Sequence, residues 1–163
     1  MKKPVFILLG LFCIFQVTAQ NLETVDTSVF THPVFVSPQP PKAIKGWTLY
    51  ENLALETGDV FKGPVLVGEY PGKIIKFQFK GNALGIAVIF GTDTGRIEFS
   101  VDEADWELLD LKTQNNPKDK LSYFTLESGL KNRKHTLQIR MAPAVNSESS
   151  KCILTLFYFN TLE

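Results

Sequence analysis

The sequence predicts an all-β protein, a two-sheet antiparallel β-sandwich of the jelly-roll type. Three observations support this fold class. Apolar and polar residues alternate with a period of two in several segments after Gly46, turn-forming residues recur about every 8 to 12 residues, and no segment has the spacing of an amphipathic helix. The 13 phenylalanines among 163 residues also favour a β-rich core.

The first 19 residues have the layout of a secretory signal peptide. Two lysines follow Met1, an apolar run extends from Val5 to Phe15, and Val17 and Ala19 are suitable for a signal peptidase. The run is shorter than the about 20 apolar residues that a membrane-spanning helix needs. We therefore expect cleavage after Ala19, a mature chain without a transmembrane segment, and localisation in the periplasm or on the outer surface of a Gram-negative bacterium.

Residues 20–45 are predicted to form a proline-rich tether, or a strap that lies on the domain. Four prolines interrupt this segment: Pro33, Pro38, Pro40 and Pro41. Proline removes a backbone donor and blocks helix formation, so the chain is expected to be extended here. As an alternative, the stretch from Phe30 to Val36 pairs as an edge strand. The β-sandwich domain is predicted to follow over residues 46–163.

Alternation defines the strands of the predicted domain most clearly in two segments, Lys73–Phe79 and Arg96–Asp102. Ala83–Phe90 is apolar on both phases, which is typical of a central strand covered on both faces. Gly91–Gly95 is predicted to close a hairpin between these strands, with Gly95 at positive φ. The further predicted strands are Val65–Glu69, Trp106–Leu111, Leu121–Leu126, His135–Met141 and Cys152–Asn160.

Charge and cysteine content exclude some classes of function. The 17 basic residues are balanced by 17 acidic ones, so the chain has no basic excess for phosphate binding and nucleic acid is not an expected partner. If Cys13 leaves with the signal peptide, Cys152 is the only thiol of the mature chain. A disulfide and a cysteine-based zinc site are therefore not expected.

Five short motifs follow one another between residues 79 and 160. They are Phe79-x-Gly81-x-Ala83-x-Gly85-Ile86, Gly91-x-Asp93-x-Gly95-x-Ile97-Glu98-x-Ser100-x-Asp102, Trp106-x-x-x-Asp110-Leu111, Leu130-x-x-x-x-His135-x-Leu137-x-Ile139 and Phe157-Tyr158-Phe159-Asn160. Together they resemble the β-sandwich module attached C-terminally to secreted bacterial SGNH/GDSL-type esterases. The resemblance covers about residues 46–160 and extends to galactose-binding-like jelly rolls, many of which are carbohydrate-binding modules.

This resemblance implies a fold and a secreted setting, and it implies no active site. In the esterases, a hydrolase domain with a Gly-Asp-Ser block and a late Asp-x-x-His precedes the module. The present sequence lacks that block, because its nearest equivalent, Thr57-Gly-Asp-Val60, has no serine.

Candidate catalytic and metal-binding residues are few. His135 is in phase with Leu137 and Ile139, which predicts a structural histidine that hydrogen-bonds to a loop carbonyl. His32 lies beside Pro33 in the predicted tether and has no predicted catalytic role. No cofactor is expected, although a structural calcium ion remains an alternative. Its candidate ligands are Asp93, Asp102, Asp105 and Asp110.

Sugar binding would need flat aromatic faces and planar polar groups. The aromatic candidates are Trp106, Tyr123 and Tyr158, and the polar candidates near the predicted hairpin are Asn82, Asp93 and Arg96. Each aromatic side chain also fits a role in the core.

The function that we expect is a secreted, non-catalytic binding module. It would associate with glycan or act as an accessory to a glycan-processing SGNH-type esterase. The alternatives are a structural or protein-interaction subunit without a sugar site, and a relative of the hydrolases.

Overall fold

The computed structural model describes residue 26 and residues 28–39, 44–112, 118–144 and 150–162. These residues contain ten β-strands. The strands are β1 (Pro33–Val36), β2 (Trp47–Ala54), β3 (Val60–Glu69), β4 (Ile75–Gly81), β5 (Ala83–Ile89), β6 (Arg96–Val101), β7 (Glu107–Asp110), β8 (Leu121–Glu127), β9 (Arg133–Met141) and β10 (Lys151–Asn160). Within the described ranges, no helix is long and apolar enough to cross a membrane.

The strands form two antiparallel sheets that pack as a sandwich, which confirms the predicted fold class. Sheet A has six strands, in the order β2-β3-β10-β5-β8 with β1 paired to β10. Sheet B has four strands, in the order β4-β9-β6-β7. The inward side chains of both sheets form one apolar core that includes Leu66, Ile86, Ile97, Leu137 and Leu154. Two sheets packed face to face in this way are typical of a β-sandwich.

Side-chain alternation gives the predicted orientation in the strands where it is strongest. In β4, Ile75 and Phe79 are buried, whereas Lys76 and Gln78 are exposed. Every residue of β5 is buried, because this strand lies between β10 and β8 and both of its faces are covered. The prediction of a central strand at this position is confirmed.

β2 lies outside the segments that alternation predicts as strands. Six of its eight residues are exposed, so the segment carries little apolar pattern. Its first residue, Trp47, provides the anchor, since its ring is buried and its Nε1 donates a hydrogen bond to the carbonyl oxygen of Lys73 at 2.7 Å. The ring lies directly over Gly68, where a Cβ atom would overlap it.

Residues 28–39, here called the strap, begin on the face of sheet A that is turned away from sheet B and continue as a strand of that sheet. Phe30 is buried against Ala83 and Tyr158. The strand β1 pairs with the end of β10, with Val34 opposite Phe159. The backbone N–H of His32 donates to Asn160 Oδ1 at 2.7 Å. The edge strand considered for this stretch is therefore present, and it integrates part of the proline-rich segment into the sheet.

The turn at Gly91–Gly95 corrects one prediction. It does not close a hairpin, because β5 belongs to sheet A and β6 to sheet B, so the turn carries the chain between the two layers. Gly95 is not among the residues with positive φ. Its lack of a side chain is instead required by packing, since a Cβ atom would overlap the side chain of Ser150.

Candidate functional site

The aromatic residue Trp106 lies just before β7 at the surface of sheet B. Its ring is covered by the guanidinium group of Arg140, whose Cζ is 4.2 Å from the ring centroid. Arg140 Nε is fixed in turn by a 2.5 Å ion pair with Glu98. One face of Trp106 is therefore occupied by a cation–π contact, and the side chain lines neither of the two cavities described below.

Tyr158 and Tyr123 lie beneath the strap and do not form an exposed sugar platform. Tyr158 is only 1% exposed and packs edge-on against Phe30, with ring centroids 4.8 Å apart. Tyr123 packs against Tyr158 at 5.8 Å. Burial raises the pKa of each hydroxyl to about 12. The prediction that Tyr158 contacts a ligand does not fit this position, because the strap covers the outer face of the strand that carries it.

Asn82 and Arg96 hold the fold together at separate places. Asn82 Oδ1 accepts a hydrogen bond from Asn160 Nδ2 at 2.9 Å, next to the backbone bond from Asn82 N to Asn160 O. Arg96 Nη2 donates to the carbonyl oxygen of Pro143 at 3.0 Å. The six predicted ligand-binding residues therefore do not converge on one site, and Asp93 alone lines a described cavity.

That cavity, here called the acid-lined groove, lies on the outer face of sheet A and has a volume of about 210 Å³. Leu66 and Leu154 point into the core, so their neighbours Val67 and Ile153, which are paired across β3 and β10, point outward. The groove is lined by Tyr50, Leu53, Ala54, Leu55, Glu56, Val67, Glu69, Gly91, Thr92, Asp93, Asp119, Lys151 and Ile153.

Tyr50 supplies the aromatic surface of the acid-lined groove. It is 42% exposed, in contrast to the buried Tyr158. It lies on β2 opposite Val65 of β3. A half-exposed tyrosine presents an apolar ring face and a polar hydroxyl to the same ligand. The sequence prediction missed Tyr50 because β2 shows no alternation.

The carboxylates of the groove are held by hydrogen bonds from the surrounding turns. Glu56 Oε1 accepts from the backbone N and from Oγ1 of Thr92, both at 2.8 Å. Asp119 accepts from the backbone N–H groups of Thr57 at 2.6 Å and Glu56 at 3.3 Å. Asp93 forms an ion pair with Lys151 at 3.2 Å. These contacts join turns that are far apart in the sequence and fix the positions of three acceptors.

Hydrogen bonding keeps two of these groups ionised. The backbone and side-chain hydrogen bonds from Thr92 lower the pKa of Glu56 below its ordinary value. Burial acts to raise the pKa of Asp119, but the hydrogen bonds from Thr57 and Glu56 outweigh it and the pKa is lowered. Both groups are therefore acceptors at neutral pH.

A second and larger cavity, here called the edge cleft, has a volume of about 650 Å³ and lies between β4 and the strap. Its walls include Phe77, Phe159 and Leu162. The lining residues that the structure describes include two lysines and no carboxylate. This chemistry differs from that of the acid-lined groove and suits a different kind of ligand.

His135 confirms the prediction of a structural histidine. It is 3% exposed and its ring stacks on Phe79 with centroids 5.2 Å apart. Nδ1 lies 2.8 Å from Asp102 Oδ2, and Nε2 lies 2.7 Å from the carbonyl oxygen of Lys131. A carbonyl oxygen only accepts, so Nε2 carries a proton and donates a hydrogen bond to the carbonyl oxygen of Lys131. Neither nitrogen is available as a base for a nucleophile.

The remaining candidates for chemistry lack suitable surroundings. Cys152 is buried, and burial raises the pKa of its thiol to about 12, so the nucleophilic thiolate is not formed at neutral pH. Across the described ranges, no group of three or more histidine, cysteine, aspartate or glutamate side chains is placed to hold a metal ion. Of the calcium ligands considered, Asp93 is paired with Lys151 and Asp102 with His135 and Arg133.

Comparison with protein-family models gives no match, and comparison with curated proteins gives none either. Solved structures do share the fold. A two-domain esterase active on acetylated mannans, co-crystallised with mannopentaose, matches with a TM-score of 0.64 at 14% sequence identity, over 84% of this chain and 38% of that chain.

Two further solved structures match over the same sandwich. A family two carbohydrate esterase from Cellvibrio japonicus gives a TM-score of 0.52 at 11% identity, over 80% of this chain and 34% of that chain. A GH26-CBM35 β-(1,4)-mannanase from Podospora anserina gives 0.51 at 15% identity, over 80% and 28%. This chain therefore spans between about a quarter and two fifths of the length of these three proteins, and the likeness establishes the β-sandwich fold.

Proposed function

We propose that this protein is a non-catalytic glycan-binding module whose acid-lined groove takes a neutral sugar. The observation that carries the proposal is the placement of half-exposed Tyr50 in one groove with the fixed carboxylates of Glu56, Asp93 and Asp119. A sugar ring offers C–H groups to an aromatic face and hydroxyl groups to acceptors. The groove supplies both kinds of surface within one small cavity.

The charge of the groove favours a neutral glycan over an acidic one. Its lining includes four carboxylates, from Glu56, Glu69, Asp93 and Asp119, against the single cation of Lys151. A ligand carboxylate or sulfate would be repelled here, whereas hydroxyl groups can donate to the acceptors. The volume of about 210 Å³ lies below the about 300 to 1,000 Å³ typical of sites for drug-sized ligands, so it suits one sugar ring or a chain end.

The pKa directions support binding without bond cleavage. A glycoside hydrolase needs one carboxyl group with a raised pKa to protonate the leaving group. Glu56 and Asp119 have lowered pKa values instead. Burial, together with the charge of Glu107, raises the pKa of Glu127, but Glu127 lies on β8 and lines neither described cavity.

The similar solved structures agree with this proposal in the kind of molecule involved. The three chains named above are a mannan esterase, a carbohydrate esterase and a mannanase. We propose that the present protein acts outside the cytoplasm, as the first 19 residues suggest. An accessory role beside a glycan-processing SGNH-type esterase follows from the sequence resemblance and is part of the same proposal.

The test is calorimetric titration of the purified protein with mannopentaose and with a β-1,3-galacto-oligosaccharide. We expect Tyr50→Ala to weaken binding of the recognised glycan at least about tenfold, which corresponds to about 1.4 kcal/mol. Because Tyr50 is half exposed, the substitution should leave the fold intact. Trp106→Ala is the matched aromatic control and should bind with the affinity of the unaltered protein.

Two results would contradict the proposal. One is unchanged affinity in Tyr50→Ala together with loss of binding in Trp106→Ala, which would move the site to sheet B. The other is hydrolysis of p-nitrophenyl acetate or of the glycan by the purified protein, which would make it an enzyme.

A further inference from the structure

The edge cleft follows the outer edge of β4 for about four residues. Phe77, Gln78, Phe79 and Lys80 are consecutive, and all four line the cavity. Successive side chains of a strand point to opposite faces, so one cavity reaches all four only if it runs along the edge of the strand. The opposite wall is formed by Val36, Ser37 and Gln39 of the strap.

β4 has a free edge in the part of the chain that the structure describes. It is the first strand of sheet B and pairs only with β9 there. An edge strand presents backbone N–H and C=O groups that can pair with another extended chain. The cleft beside it leaves space for such a chain.

The side chains around this edge fall into two chemical sets. Towards the interior, Phe77 is partly buried and stacks on Phe157 with centroids 4.2 Å apart, and Phe159 lies beside it at 6.1 Å. Towards solvent, Lys76, Gln78 and Lys80 are exposed. A chain that pairs with β4 would place alternate side chains against each set.

The lysines of this edge carry unbalanced positive charge. Lys80 on β4 is directly opposite Lys134 on β9, and both line the cleft. Like charges at directly opposed positions of an antiparallel pair are destabilising. Neither lysine takes part in an ion pair between described residues, and none of the described lining residues is acidic. Lys76 and Lys80 share the exposed face of β4, on which side chains recur at every second residue. This face is therefore complementary to a partner strand that carries carboxylates at alternate positions.

From these observations we propose that the edge cleft is a docking site for an extended peptide segment of a partner protein, in which apolar and acidic residues alternate. The segment adds to sheet B as a strand beside β4. Its apolar side chains enter the cleft against Phe77 and Phe159, and its acidic side chains meet Lys80 and Lys134. This recognition mode is β-strand addition, in which backbone hydrogen bonds give affinity and alternate side chains give specificity. It is independent of sugar binding in the acid-lined groove.

The test uses calorimetry with the full purified protein and an acetylated, amidated eight-residue peptide of alternating glutamate and valine. We expect this peptide to bind, and the matching lysine–valine peptide to bind at least about tenfold more weakly. Lys80→Glu should weaken binding of the glutamate peptide at least about fivefold. In the double variant with Lys80→Glu and Lys134→Glu, the lysine peptide should become the preferred ligand. Lys62→Glu, an exposed lysine on β3 of sheet A, is the matched control and should bind as the unaltered protein does.

A second measurement separates strand addition from the capture of an apolar anion. The glutamate–valine peptide is prepared in two versions, N-methylated either at every glutamate or at every valine. In an extended peptide, each version removes the backbone N–H donors along one of its two hydrogen-bonding edges. Strand addition predicts that blocking one edge abolishes binding. Equal affinity of both methylated peptides would overturn the proposal, because it would show that the backbone N–H groups of the peptide do not pair with β4. Absence of binding by the unmodified glutamate–valine peptide would overturn it as well.

Discussion

Replacement of His135 with alanine is expected to lower the free energy of unfolding by about 3 kcal/mol. The substitution removes a buried ring that stacks on Phe79. It also removes one hydrogen bond to Asp102, which still accepts from Thr136 and Arg133. A second is lost at the carbonyl oxygen of Lys131, which still accepts from the backbone N–H of Arg133. The two lost hydrogen bonds and the new cavity both destabilise the folded state. Urea-induced unfolding of the variant and of the unaltered protein measures the difference.

Two controls make this measurement specific. His32→Ala replaces the other histidine, which is exposed in the strap, and should change the free energy of unfolding by less than about 0.5 kcal/mol. Asp102→Asn keeps the size of the side chain and should be less destabilising than His135→Ala. A His135→Ala variant as stable as the His32→Ala variant would show that the buried contacts of His135 do not support the fold.

The pH dependence of the free energy of unfolding should report the contact between Asp102 and His135. Burial acts to raise the pKa of Asp102, but hydrogen bonds from Thr136 and His135 and the charges of His135 and Arg133 outweigh it, so the folded-state pKa is lowered. A lowered pKa contributes stability that is present above the unfolded-state value of about 3.9 and is lost as the pH falls through the folded-state value. The difference in free energy of unfolding between the unaltered protein and the Asp102→Asn variant should therefore shrink below about pH 4.

Replacement of Gly81 with alanine is expected to destabilise the fold by about 3 kcal/mol. Gly81 ends β4 in sheet B, and β5 of sheet A begins two residues later, so the chain crosses between the layers here. A Cβ atom on Gly81 would overlap the backbone carbonyl group of Asn160. Backbone cannot move aside as the end of a flexible side chain can, so the crossing itself would have to shift. Thermal unfolding followed by circular dichroism tests this expectation.

Gly58→Ala is the control for the loss of a glycine. Gly58 has a φ of +93°, and a Cβ atom there would meet no other atom within 4 Å. Its substitution should lower the free energy of unfolding by about 1 kcal/mol, which is the cost of holding an alanine at a positive φ. If Gly81→Ala were no more destabilising than Gly58→Ala, the close approach to Asn160 would not limit the residue at position 81.

Alternation in the sequence predicts those strands whose two faces meet different surroundings, and a continuous apolar run predicts β5, whose two faces are both covered. β4 and β6 have a core on one side and solvent on the other, and their side chains alternate accordingly. β2 has few neighbours on either face, so its sequence carries no such pattern. The partition of strands between layers could not be predicted at Gly91–Gly95, because a short glycine-containing turn serves equally for a hairpin and for a crossing between sheets.

The candidate site was less predictable than the fold, because it depends on which surfaces the strap leaves open. Tyr158 and Tyr50 are both tyrosines on sheet A, but Phe30, Phe35 and Tyr123 pack around Tyr158 and bury it, whereas Tyr50 stays accessible. The carboxylates of Glu56, Asp93 and Asp119 lie in three separate turns of the chain. Asp93 could be selected as a candidate from its position in a polar turn. Its proximity to Glu56 and Asp119 depends on the tertiary fold and could not be predicted.

The most direct test of the proposed glycan site is a titration of ¹⁵N-labelled protein with mannopentaose, followed through the backbone amide resonances. We expect the largest shifts at Tyr50, Thr92, Asp93 and Lys151, which surround the acid-lined groove. Resonances of Trp106 and Arg140 on sheet B should stay in place. Shifts confined to Trp106 and Arg140, or the absence of any shift with mannopentaose and with the galacto-oligosaccharide, would contradict the proposal.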